Sequence, residues 1–253
     1  MLATDIDTAT ASAAAAGGAE KREYVKRIFS EIAPRYDLLN HLLSLNIDKA
    51  WRRHAIAELG VEQNPTGNYL DLCAGTLDVA SELSMLPGFG GSVVGADFAE
   101  PMLRAGLAKV TGKAIAPVAA DALQLPLPSG SLDGAIVAFG IRNVAGLDAA
   151  LSEVLRVLTP GARFVILEFT TPRARVLRGL YQLYFTHILP LIGGVISGHR
   201  SAYRYLPRSV ANFPPEEELA SRMMYAGFSD VRWASLTFGI AAIHVGTRPV
   251  EAR

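Results

Sequence analysis

A chain of 253 residues, half of them apolar, is long enough for one well-buried α/β domain, or a domain with a lid. Its 24 basic residues balance 24 acidic ones, which argues against a polyanion such as nucleic acid as partner. A single cysteine, Cys73, excludes an internal disulfide and fits a reducing compartment.

Residues 1–20 carry acids where a secretory signal needs positive charge, and their alanine run is too short to span a bilayer. They are expected to form a disordered tail. A helical cap is expected over 21–60. Val25, Ile28, Phe29 and Ile32 recur at helix spacing until Pro34, and a second amphipathic helix runs through Trp51, Ile56 and Leu59 to Gly60. Strands and helices then alternate over 61–253. Strands are predicted at Tyr69–Cys73, Ser92–Asp97, Ala116–Ala120, Gly134–Phe139 and Phe164–Phe169. Helices are predicted at Thr76–Met85, Pro101–Lys109 and Leu147–Leu158, the last closed by Pro160–Gly161, and at Phe213–Ala226. Two more strands, around Val231–Ser235 and Ile240–Thr247, should close the sheet as a hairpin-like pair with one strand antiparallel. The expected architecture is a Rossmann-like α/β fold, a mostly parallel seven-stranded sheet with helices on both faces.

The segment 176–206 breaks this alternation. It is a long apolar insertion interrupted by Arg178, His187 and Pro190, which argues against a transmembrane helix. It reads either as ordinary core helices or as a mobile apolar lid over a greasy substrate, with Gly193, Gly194 and Gly198 as hinges.

The chemistry is concentrated in two stretches. NYLDLCAGTLD, at Asn68–Asp78, reads as a buried strand, a small-residue turn (Ala74, Gly75) and a helix opened by Thr76 and Asp78. VVGADFAEPML, at Val93–Leu103, is a second strand ending in Asp97. Asp97 follows Gly75 by 22 residues, close to the ~20 at which an acid on the neighbouring strand accepts from ribose hydroxyls. The turn lacks the glycines that seat a pyrophosphate, because Leu77 occupies its tip. A ligand with a nucleoside and no phosphate fits better, and S-adenosylmethionine (SAM) is the common one. Leu77 is not expected to adopt positive φ readily. Cys73, closing the first strand, reads as a packed residue and not a nucleophile. No His/Cys/Asp cluster has metal-ligand spacing, so no metal is expected.

FSEIAPRYDLLNHLLSLNIDKAWRR, ADFAEPML, FGIRNV at Phe139–Val144, LEF at Leu167–Phe169 and SAYRYL at Ser201–Leu206 together resemble the C-methyltransferases of menaquinone and ubiquinone biosynthesis, class I SAM-dependent enzymes. The similarity spans roughly Tyr24 to Thr247. It implies SAM contacts at Gly75 and Thr76, a ribose acceptor at Asp97, and an adenine pair at Asp121 and Ala122. A serine contact of the family falls on Ala138 here. It further implies catalytic places for Arg142, as stabiliser of a forming phenolate, for Asn143 beside it, and for Tyr36. An ion pair is the structural alternative for Arg142, and a helix cap for Asp37. His187 and His199 are candidate proton acceptors for which a packing role is favoured.

The activity so implied is ring methylation of demethylmenaquinol. Benzoquinol methylation, methylation of a soluble aromatic, and a silent SAM-binding relative are the alternatives. The implied partners are a polyprenylated quinol and, transiently, the membrane surface. The expected location is cytoplasmic, peripheral on the inner face of the cell membrane, with a homodimer left open.

Overall fold

The computed structural model describes residues 18–33, 46–183 and 200–250. Helix α1 (Gly18–Ile32) begins inside the stretch expected to be tail, and α2 (Ile47–Glu58) completes the cap. There follow β1 (Asn68–Leu72), α3 (Asp78–Ser84), β2 (Ser92–Asp97), α4 (Glu100–Val110), β3 (Ile115–Ala119), β4 (Leu132–Ala138), α5 (Leu147–Val157) and β5 (Leu158–Phe169). Helices α6 (Arg175–Leu183), α7 (Arg200–Ala211) and α8 (Glu216–Tyr225) precede β6 (Ser229–Leu236) and β7 (Ala241–Thr247).

The seven strands form one sheet in the order β3-β2-β1-β4-β5-β7-β6. Neighbours are parallel except where β7 runs antiparallel between β5 and β6. The order reverses between β1 and β4, which opens a crevice at the carboxyl ends of those strands. Alternate strand residues serve two cores. Tyr69, Ile136, Val165 and Ile243 pack with α2 and α3 through Trp51, Ile56, Val79 and Leu83. Leu70, Val137, Phe164 and Ile166 pack with α5 and α8 through Leu151, Val154, Leu219 and Met223. With both faces covered, β1 is buried from Tyr69 through Leu72.

Three local expectations are corrected. Leu77 does adopt the left-handed conformation (φ 64°, ψ 25°) as the residue before α3, so the helix opens at Asp78 and not at Thr76. That conformation costs about 1–2 kcal/mol. Complete burial of the leucyl side chain in the core below offsets it by about 1.5–3 kcal/mol. Helix α5 ends at Val157, and Leu158 already belongs to β5, paired with Leu132, so Pro160–Gly161 lies inside the strand; Gly161 takes φ 84° there. Helix α8 starts at Glu216, after Pro215, and not at Phe213.

Asp71 is a fully buried acid within β1, and its Oδ2 accepts the Ala80 N–H at 2.9 Å, tying α3 to the strand. Burial pushes its carboxyl up to about 8, against the opposing pull of that hydrogen bond and of Arg52. An acid with a higher pKa folded than unfolded holds its proton better in the folded state. Its stabilising contribution is therefore complete below the unfolded value of ~3.9 and is lost as pH rises through the folded value. Wild type should lose stability between those limits relative to Asp71→Asn, which keeps the acceptor. Denaturant unfolding at several pH values measures this, and parallel pH profiles for the two proteins would contradict it.

Candidate active site

The β1 turn and the end of β2 build the floor of the crevice. Cys73 (φ 53°), Gly75 (φ 52°) and Leu77 all take left-handed conformations, folding the chain back so that the Gly75 N–H points at the neighbouring strand. Asp97 receives it: its Oδ2 accepts from Gly75 N at 2.8 Å and its Oδ1 from Ala99 N at 2.8 Å. Burial raises the Asp97 pKa and the two N–H bonds oppose this. A carboxylate offers about four lone-pair sites, so two remain for a pair of vicinal hydroxyls. Cys73 is no nucleophile here, because burial pushes its thiol well above its ordinary value.

These residues line a cleft that is open to solvent. Gly75, Asp97, Asp121, Ala122, Ala138 and Asn143 all face it. Thr76 does not; it is buried in the turn, with its backbone closely packed against Gly106. Asp121 Oδ1 accepts the Leu123 N–H at 3.0 Å, while Oδ2 pairs with Arg22 of α1 at 3.1 Å. Phe29, about two turns further along the same face of α1, also lines the cleft. Helix α1 therefore roofs the cleft that the strands floor.

Beside the cleft, the FGIRNV turn bends at Phe139, which takes φ 60°. Arg142 and Asn143 sit in the single 3₁₀ turn that follows. The Arg142 guanidinium turns inward. Its Nη1 donates to Glu168 Oε1 and to the Phe139 carbonyl, both at 2.5 Å, and its Nε donates to Ser209 Oγ at 3.4 Å. Glu168, almost fully buried on β5, also accepts the N–H groups of Arg142 (3.3 Å) and Phe169 (2.9 Å). Burial raises its pKa and the Arg142 charge opposes this. The guanidinium also lies 5.4 Å from the Phe169 ring centroid. Phe139 and Phe169 are 4.5 Å apart, and Trp51 packs against both at 6.1 and 6.2 Å.

Two buried polar atoms near this pair have no hydrogen-bond partner among the described residues: Asn143 Oδ1 and Tyr205 Oη. Burial pushes the Tyr205 phenol up to about 12, so it is a donor and not a base at neutral pH. Tyr205 packs against Tyr24 of α1 at 5.7 Å. The cleft thus meets the needs of SAM on observations of its own: an acid with unspent lone pairs, a close backbone turn, and an orphan amide oxygen.

Of the expected site residues, Gly75, Asp97, Asp121, Ala122 and Asn143 converge on one cleft, and Arg142 stands next to it in an ion pair. Tyr36, Asp37, His187, His199 and most of the apolar insertion lie outside the described residues. Among the described residues no group of three His, Cys, Asp or Glu is placed to hold a metal ion. Sequence reasoning missed Glu168, although a lone acid in the apolar run FVILEF was a signal of a buried partner. It also missed Lys21 and Arg22, which look like ordinary surface charges until α1 is laid over the cleft.

The ubiE/COQ5 methyltransferase family model matches residues 18–248. A demethylmenaquinone methyltransferase from Thermus thermophilus is 51% identical over 224 residues, covering 88% of this chain and 100% of that protein. A ubiquinone/menaquinone biosynthesis C-methyltransferase UbiE from Geobacter sulfurreducens is 44% identical over 92% of this chain and 91% of its own length. Among solved structures, a SAM-dependent methyltransferase from Thermotoga maritima superposes with a TM-score of 0.62 at 18% identity, covering 88% of this chain and 99% of that one. At that identity the likeness speaks to the fold, a class I methyltransferase. Because the family match takes in the roofing helix, the nucleoside floor and the arginine turn together, the chain belongs to the ubiE/COQ5 methyltransferase family and is a SAM-dependent methyltransferase.

Proposed function

We propose that this enzyme methylates a ring carbon of demethylmenaquinol. The reading rests on 51% identity to a demethylmenaquinone methyltransferase along that relative's whole length. Phe139, which lines the cleft and is packed against Trp51 and Phe169, offers an aromatic surface that suits a flat bicyclic ring. Several relatives carry names joining both quinones, so a benzoquinol is the second reading. Parallel turnover assays with demethylmenaquinol and with the corresponding benzoquinol decide between them. Preference for the benzoquinol would overturn the main assignment.

When bound, SAM supplies an electrophilic methyl on a sulfonium. Everything else is asked of the chain. Asp97 holds the ribose hydroxyls, and Gly75 lets the nucleoside approach the backbone. Asp121 and Ala122 flank the adenine; Arg22 must yield Asp121 Oδ2 or share it. Phe139, held by its packing against Trp51 and Phe169, excludes water and orients the ring, which supports a near-attack geometry. Asn143 Oδ1 accepts from a ring hydroxyl, and Tyr205 Oη donates to a ring oxygen. Arg142, fixed by Glu168, presents positive charge where the phenolate forms, and Tyr36 is assigned to the same oxygen.

The quinol's tail dissolves in a bilayer, and the enzyme is proposed to work at the membrane surface. Among the described residues no helix is long and apolar enough to cross a membrane. Helix α6 instead exposes Val176 (77%) and Leu183 (52%) on a segment that also carries Arg175 and Arg178. An amphipathic helix of this kind binds anionic interfaces. Flotation with anionic vesicles should recover wild type and lose the Val176→Asp/Leu183→Asp variant. Equal recovery of both would remove α6 as the contact.

A further inference from the structure

The chemistry needs a proton acceptor, because a quinol carbon becomes nucleophilic when the adjacent hydroxyl is deprotonated. Arginine is a poor candidate, staying protonated in proteins. Glu168 already accepts from the Arg142 side chain and from two backbone N–H groups. Tyr205 and Tyr181 are both raised by burial and hold their protons.

We propose that Lys21 of α1 is the residue that takes the ring-hydroxyl proton. Its Nζ donates to the Arg142 carbonyl oxygen at 2.8 Å. That places the amine at the turn whose next residue, Asn143, lines the cleft, and one residue before Arg22, which lines it too. Burial, and secondarily the positive charge of Arg142, lower the Lys21 pKa from its ordinary value, as a lysine base requires. The charged and titratable groups gathered there are Arg22 and Tyr24 on α1 itself, Arg142 from its turn, Glu168 from β5 and Tyr181 from α6. Helix α7 adds Tyr205. Asp121 is engaged by Arg22, and on α4 Glu100 and Arg104 pair with each other at the surface. Glu168 is taken up by Arg142, which leaves Lys21 without a carboxylate partner among the described residues.

The step balances. The Lys21 amine takes the hydroxyl proton, and the oxygen's electron pair moves into the ring. The ring carbon bonds to the methyl as the methyl–sulfur bond breaks with its pair left on sulfur. The ring carbon then releases its own hydrogen to solvent as a proton, the ring regains aromaticity, and the oxygen recovers the proton from Lys21. One proton is released per turnover, and Lys21 returns neutral.

This inference rests on the quinol reading, and two measurements keep the two claims apart. The first needs no substrate. The pH dependence of acylation of Lys21 in the intact wild-type protein, followed by peptide mass spectrometry, should show the amine becoming reactive at lower pH than the exposed Lys26. The same pH dependence for both would overturn the proposal. The second compares Lys21→Met and Lys21→Arg with wild type on demethylmenaquinol. Both should lose about 10²- to 10⁴-fold in kcat and lose the rise of kcat with pH, while keeping SAM affinity and melting temperature. Lys21→Arg turning over like wild type would make Lys21 a mere tether to the Arg142 carbonyl and end the proposal. If wild type itself fails on demethylmenaquinol, the quinol reading falls, and the acylation result still judges the amine.

Discussion

Glu168→Ala is expected to destabilise the fold by about 3–5 kcal/mol, because it leaves the Arg142 guanidinium buried without its counter-charge. In a chain of this size that corresponds to a drop in melting temperature of about 10 °C. Arg142→Ala should cost a similar amount for the mirror-image reason, since Glu168 is almost fully buried. The single variants therefore cannot separate chemistry from folding, and the pair can. Arg142→Met combined with Glu168→Gln removes both charges and keeps an acceptor for one of the two backbone N–H groups, of residues 142 and 169, that Glu168 now receives. Its stability should recover most of the loss. If Arg142 also stabilises the phenolate, the recovered double variant should still turn over ~10²–10³ more slowly while binding SAM like wild type. Recovery of stability and turnover together would make the arginine purely structural.

Asp97→Ala should weaken SAM binding by about 2–3 kcal/mol, hydrogen bonds to a charged acceptor contributing roughly 1.5–3 each. Read as affinity, that is a loss of about 30- to 150-fold. The same carboxylate organises the turn through Gly75 and Ala99, so Asp97→Asn, which keeps one acceptor, should fall between the two. Because burial raises the Asp97 pKa, the ionised form that accepts both hydroxyls is lost at a higher pH than for an exposed aspartate. Wild-type affinity should accordingly decline on acidification before the protein unfolds. Calorimetry reads all three, and an unchanged dissociation constant in Asp97→Ala would remove the carboxylate from the site.

The sheet was legible because its signals are local. Apolar runs bounded by turns located six of the seven strands to within about two residues at each end, and β2 matches its expected range of Ser92–Asp97, whereas β5 begins at Leu158, well before the expected Phe164. The nucleoside floor was legible for a related reason, since Gly75 and Asp97 carry a spacing that the strand order dictates. What escaped depends on contacts distant in sequence. Leu77 was expected to resist positive φ because its local sterics were visible and the core pocket that receives its side chain was not. The partner of Arg142 is Glu168, 26 residues away, and nothing in FGIRNV announces it. Lys21 and Arg22 have no special periodicity; their placement follows from α1 packing on α4 and α7. The boundary at Leu158 shifted because pairing with Leu132 claims the chain before the Pro160–Gly161 signal is reached.

The most direct test supplies the purified enzyme with demethylmenaquinol and SAM bearing a labelled methyl group, and then locates the label in the extracted lipid by mass spectrometry and NMR. One labelled methyl is expected on the ring carbon beside a hydroxyl, formed without added metal and strongly reduced in the Asp97→Ala variant at SAM concentrations just sufficient to saturate wild type. A label on oxygen, or none in the lipid while SAM binds normally, would contradict it.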